Sequence, residues 1–145
     1  MKKITLFILA LSLSFAGFSQ DGDSDYKWLV GAQMTGAMYA SSDAADGGSV
    51  MVDALYGVTD DLMVGAMIGL NFGDFEGEDI HIGARYYFGD IFAAASYDLG
   101  DTDTGVTVGL GYGWDVADNV EFAPQLSYNP DMEITSLGIG FAIRF

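Results

Sequence analysis

The chain has 145 residues, a formal net charge of −16, 21 acidic residues against five basic ones, and no cysteine. This length holds at most one domain, and so acidic a chain lacks the basic patches that a nucleic-acid partner requires. The missing cysteines exclude a disulfide framework, a thiol nucleophile and lipid attachment through sulfur.

The first element is a leader. In MKKITLFILALSLSFAGFSQ, Lys2 and Lys3 form a basic start and Ile4 to Phe15 an apolar run. Small residues then place cleavage after Ala16 or Ser19, so residues 1–19 read as a signal peptide. The apolar run is too short for a comfortable membrane helix. Its removal leaves Lys27, Arg85 and Arg144 as the basic residues of the mature chain. An acidic segment, 20–27, follows. Its DGDSD stretch (Asp21 to Asp25) resembles the opening of a calcium loop. Tyr26 and Ala32 occupy the positions where an EF-hand needs Gly and Glu, so a solvated acidic tail is expected.

From residue 28 to 145 the chain alternates with period two in eight runs separated by turn residues. They are WLVGAQMTGAMY, SVMVDALY, LMVGAMIGLNF, IHIGARYYF, IFAAASYDL, VTVGLGYGW, VEFAPQLSY and the C-terminal SLGIGFAIRF. One face of each run is apolar. The other carries glycines, polar groups and every charge within a run: Asp53, His81, Arg85, Asp98, Glu121 and Arg144. Run lengths are close to the roughly 9–11 residues with which a tilted strand crosses a bilayer. Aromatics gather near the ends of the apolar face. Trp28, Tyr56, Phe88, Trp114 and Phe145 share one rim, and Phe72, Tyr97 and Tyr128 the other, the arrangement of membrane–water girdles. Glycines crowd the polar face, which suits a narrow interior. The expectation is an all-β, eight-stranded antiparallel up-and-down transmembrane barrel, apolar outside and polar inside.

Same-face pairing joins Tyr56 to Leu62, Phe72 to Ile80, Phe88 to Ile91, Leu99 to Val106 and Trp114 to Val120. Pro124 lies inside the seventh run, where a closed barrel has no free edge, so a bulge is expected there. Inside the lumen, Asp53 is expected opposite Gly65 and Arg85 opposite Met67, letting Arg85 reach Asp53 over the glycine. Glu121 and Arg144 are expected at the ends of neighbouring strands. His81 is expected opposite Asp98 and Asn71, as a satisfied lumen pair. A catalytic reading would need a nucleophile and a base in mutual reach, and only Ser96 and Ser127 offer themselves, so no enzyme activity is expected.

The eight runs, the leader and the terminal Phe resemble the small outer-membrane β-barrels of Gram-negative bacteria, the OmpA transmembrane domain and OmpX-like porin families. That resemblance implies an outer-membrane location, both termini periplasmic, and contacts with lipid and lipopolysaccharide. It also implies that the last strand, with Phe141, Ile143 and Phe145, is the signal read by the barrel-assembly machinery. Outer loops are expected at 40–48, 73–79, 100–105 and 129–133, and periplasmic turns at 57–61, 89–90 and 115–119. The loop acids offer weak sites for divalent cations. No cofactor is implied. Two functions remain open: a monomeric structural or surface-interaction barrel with a plugged lumen, and a porin-like narrow channel, kept open by the volume that inward glycines leave unfilled.

Overall fold

The computed structural model describes residues 27–40, 47–73, 77–100 and 105–145. The leader, the DGDSD stretch and most loop acids lie outside them. The described residues form nine strands and no helix. These are β1 (Trp28–Ala40), β2 (Gly47–Gly57), β3 (Leu62–Gly73), β4 (Gly77–Phe88), β5 (Ile91–Asp98), β6 (Val106–Tyr112), β7 (Trp114–Ala117), β8 (Val120–Asn129) and β9 (Ile134–Arg144). Neighbours pair antiparallel in chain order, and β1 pairs with β9 to close the sheet into a barrel. Closure removes the exposed edge that an open sheet would present. At the seam the Trp28 N–H donates to the Phe145 carbonyl at 2.8 Å, and the Phe145 N–H returns the bond to Trp28 at 2.9 Å.

The barrel has eight staves, because β6 and β7 are one stave broken at Gly113 and both pair with β8. Pro124 explains the break. Gly111 pairs with Gln125 and Trp114 with Phe122, so no residue is skipped between them. The interruption sets Tyr112–Gly113 against Ala123–Pro124. Proline lacks the N–H that a ladder needs, and the missing bond falls on this side. The expected bulge at Pro124 is absent: β8 and β9 run in continuous register through Pro124 and Ile139. Shifts in register occur instead at Ala37/Tyr39 and at Asp115/Ala117.

Two further expectations are corrected. Four of the five same-face pairings slide along the strands. Tyr56 faces Val64, Tyr97 faces Val106, and Trp114 faces Phe122, each two residues from the expected register; Ile80 faces Ile68, four residues away. Only Phe88 and Ile91 pair as expected, held by the two-residue turn Gly89–Asp90, in which Gly89 takes φ 73°. All the slips are even, so no side chain changes face. β4 also starts earlier than expected at the loop end. Glu78 and Asp79 belong to β4 rather than to a loop.

The faces are those of a membrane barrel. The large exposed apolar residues, among them Val64, Ile68, Leu110, Leu137, Ile139 and Phe141, point outward. The buried polar residues Gln33, Asp53, His81, Arg85, Asp98, Glu121 and Ser127 point inward. Ile139 sits midway along β9 between Met34 and Pro124. Ile139→Arg is therefore expected to cost about 2–4 kcal/mol, the value for a lipid-facing Arg at a bilayer midplane. Denaturant unfolding from lipid vesicles measures it, and an unchanged midpoint would contradict a lipid-facing position.

Candidate functional site: the barrel lumen

The lumen holds an apolar cluster and a charged chain at one end and a polar set at the other. At the end carrying the short turns, Leu29, Leu55, Met63, Met67 and Ala142 form a small buried apolar cluster with Met51 and Tyr87 against it. Sequence reading missed this cluster, since the polar-face rule predicts no apolar core inside. Phe92 is also fully buried inside the barrel. Its ring lies 5.4 Å from the ring of Tyr87.

Phe92 has room because Gly111 is its cross-strand partner. A Cβ on Gly111 would meet the Phe92 ring, and one on Gly83 would meet the Met67 methyl. At Gly83, Gly111 and Gly113 the missing Cβ therefore does not leave volume unfilled. Each of these three yields space to a side chain from a neighbouring strand: Met67, Phe92 and Glu121. A glycine opposite a bulky inward residue was the sequence signal for this packing.

A charged chain shares this end of the bore: Arg144 pairs across strands with Leu29, Arg85 with Met63 and Glu121 with Ala142. Arg85 Nη2 donates to Asp53 Oδ2 at 2.9 Å, and Arg85 Nη1 lies 3.7 Å from Glu121 Oε1. Arg144 Nη2 donates to Glu121 Oε2, and Arg144 Nη1 to Asp115 Oδ1 at 3.3 Å. The Tyr87 hydroxyl donates to Glu121 at 3.2 Å. The Arg85 guanidinium stacks 4.9 Å above the Phe92 ring, and that of Arg144 lies 5.6 Å from the Tyr87 ring. Glu121, at 0% exposure, is the hub of a chain running Asp53–Arg85–Glu121–Arg144–Asp115. A charge so buried is retained only when paired.

The residues opposite Asp53 and Arg85 on β3 differ from the expected ones. Asp53 faces Met67 and Gly31, and Arg85 faces Met63 and Ala94. Gly65 lies between Met63 and Met67 on the inward face of β3, so the two side chains meet across that strand on either side of the glycine.

The loop end of the lumen is polar and mostly neutral. Thr35 pairs with Ser49, Asn71 donates to Asp79, Gln125 donates to Ser127 at 2.8 Å, and Asn129 donates to Thr107 at 3.0 Å. His81 and Asp98 are cross-strand partners and both are buried. Asn71 does not face His81; Met67 does. Ser96 faces Gly83 and Thr107. Among the described residues no group of three or more His, Asp or Glu is placed to hold a metal ion.

On the outside, Trp28 packs edge-on against Tyr56 at 5.1 Å, and Tyr112 against Trp114 at 5.3 Å. Phe88 is exposed at the same turn end, while Phe72, Tyr97 and Tyr128 are exposed at the loop end. Phe141 and Ile143 lie on the outer face of β9, where Phe141 packs against Phe122 at 5.1 Å.

A closed antiparallel barrel with an apolar exterior and a charged interior is the fold of a small transmembrane β-barrel, and solved structures of that kind superpose on it. A de novo designed transmembrane β-barrel matches with a TM-score of 0.65 and 18% identity, over 82% of this chain and 95% of the design. Neisserial surface protein A matches at 0.56 and 19%, over 81% of this chain and 97% of its own. The N-terminal barrel domain of Pseudomonas aeruginosa OprF matches at 0.56 and 16%, over 83% and 98%. No protein-family model matches the chain, and no curated protein matches it.

Proposed function

We propose that this protein is a non-enzymatic integral barrel of the outer membrane, with a structural or surface-interaction role and a lumen plugged by its own side chains. The observation that carries this reading is the Asp53–Arg85–Glu121–Arg144 chain, stacked on Phe92 across the bore. Eight staves give an interior that side chains can fill, and here the glycines make the filling tighter. The pairing of lumen polar groups with one another supports a structural rather than a catalytic use for them.

In this reading the leader directs export, and the outer face of β9 with Phe141, Ile143 and Phe145 is read by the barrel-assembly machinery. The monomer then sits in lipid between two aromatic girdles. Its loop rim meets lipopolysaccharide, where Asp131, Glu133 and the acids of the other loops bind divalent cations weakly. Planar-bilayer recording of the refolded full chain tests the plug. Silent insertions are expected; stable, uniform openings across many insertions would establish the narrow-channel function instead.

A further inference from the structure

The strand β7 carries an open edge of the sheet. Its one neighbour among the described residues is β8, and the strand order ends on it. On its other side the ladder stops early. Ile91 pairs with Tyr112, the Gly113 N–H donates to the Asp90 carbonyl at 2.7 Å, and the turn Gly89–Asp90 ends the neighbouring hairpin there. Trp114 to Ala117 run on past that turn, and all four are exposed. Alternation gives Asp115 the direction of Gly113, so its N–H and C=O face the side that β5 does not reach. A strand edge of this kind is a template for a further strand.

The charge around this edge selects the occupant. From the β2–β3 turn round to the β7–β8 turn, this end carries Asp60, Asp61, Asp90, Asp115 and Asp118, and residues 57–62, 88–91 and 113–120 include no lysine or arginine. The Asp61 carbonyl accepts from the Tyr87 N–H at 2.8 Å, which brings the β2–β3 turn beside the end of β4. Arg144 of β9 reaches Asp115 at 3.3 Å, yet 66% of the Asp115 side chain stays exposed. Trp114 and Val116 alternate with Asp115 and are also exposed, ready for apolar cross-strand contacts. A second copy of β7 would bring Asp115 and Asp118 against like charges, which destabilise a strand pair. The segment 20–27, with Asp21, Asp23 and Asp25, meets the same repulsion.

We propose that the β7 edge docks an extended peptide segment of a partner protein, in which a basic residue set against Asp115 is flanked by apolar residues set against Trp114 and Val116. The segment adds antiparallel, the sense of every pairing in this sheet. Asp115 and the basic residue then exchange two main-chain hydrogen bonds, and the basic side chain lies beside the Asp115 carboxylate. In this mode the main-chain bonds give affinity and the alternate side chains give specificity. The edge lies at the end with the short turns, so in the outer-membrane reading the partner is periplasmic. The inference goes beyond that reading and does not depend on the plug, because a conducting barrel would keep the same edge.

The probe is a blocked heptapeptide of alternating valine and lysine, titrated into the refolded, 15N-labelled full chain in phosphatidylcholine nanodiscs. A saturable shift of the Asp115 amide is expected, with slowed exchange of its proton. N-methylation of the lysines removes the N–H groups that pair with Asp115 and should weaken binding about tenfold or more. N-methylation of the valines, whose N–H groups point away, should not. Replacing the lysines by glutamate should abolish binding. No saturable shift at Asp115 would overturn the docking site. Equal binding of the lysine-methylated peptide would overturn it too, because the contact would then be electrostatic and not a strand pairing. Equal binding of the glutamate peptide would contradict a basic partner. An Asp115 proton already protected without peptide, in a chain that sediments as a dimer, would give the edge to a second copy instead. Planar-bilayer recording reads the plug separately, so failure of the docking site leaves that reading standing.

Discussion

Arg85→Ala is expected to cost about 3–5 kcal/mol of stability, the loss typical when one partner of a buried ion pair is removed. The side chains of Arg85 and Asp53 are only 6% and 4% exposed, so solvent screens their attraction little. Truncation leaves Asp53 without its cation. Glu121 keeps Arg144, so the damage centres on Asp53. Asp53→Asn in the same chain is expected to restore part of the loss, because the orphaned charge is then gone. Urea unfolding of the four proteins of the double-mutant cycle reads the coupling. Strict additivity would mean that the two side chains do not interact, and the plug would lose its central contact.

Phe92→Ala is expected to cost a similar amount, about 3–5 kcal/mol for an aromatic ring removed from a filled interior. The ring is fully buried, supports the Arg85 guanidinium and fills the space above Gly111. A second substitution makes the prediction specific. Gly111→Ala alone should destabilise, since its Cβ would collide with the ring. In the Phe92→Ala background the same methyl enters the cavity, and the change should become neutral or stabilising. That reversal of sign, read from denaturation midpoints, distinguishes a glycine placed for close packing from one that merely weakens a strand. If Gly111→Ala destabilises equally in both backgrounds, the ring and the glycine are not complementary.

Period-two alternation made the faces of the barrel legible, and with them the residues that share the lumen. A shift of one residue would put Asp53 or Arg85 into lipid, so the pattern resists odd slips strongly. It is blind to even ones. Val64 and Leu62 are equally good partners for Tyr56 by pattern, and the turn decides between them. There the Leu62 N–H donates to Thr59 Oγ1 at 3.0 Å and the Val58 N–H to the Leu62 carbonyl at 2.8 Å. That is why the ion pair between Arg85 and Asp53 was foreseeable while the residues opposite each of them were not. Phe92, Met63 and Met67 were hidden for a different reason. They occupy polar-face positions, and only Phe92 is given away by a glycine opposite it, Gly111. Pro124 likewise announced a disturbance in its strand, but not on which side the missing N–H would fall.

The account rests on which face meets lipid, and site-directed spin labelling measures that directly. The chain contains no cysteine, so each introduced one is labelled alone. Labels at Ile68, Leu110 and Ile139, in vesicles, are compared with labels at Thr107 and Ser127, which line the lumen. The outer labels are expected to be relaxed strongly by oxygen, which concentrates in lipid, and weakly by a water-soluble nickel chelate. The lumen labels should be poorly accessible to both. Outer labels relaxed by the nickel chelate and not by oxygen would contradict the account, because the apolar face would then be turned away from lipid.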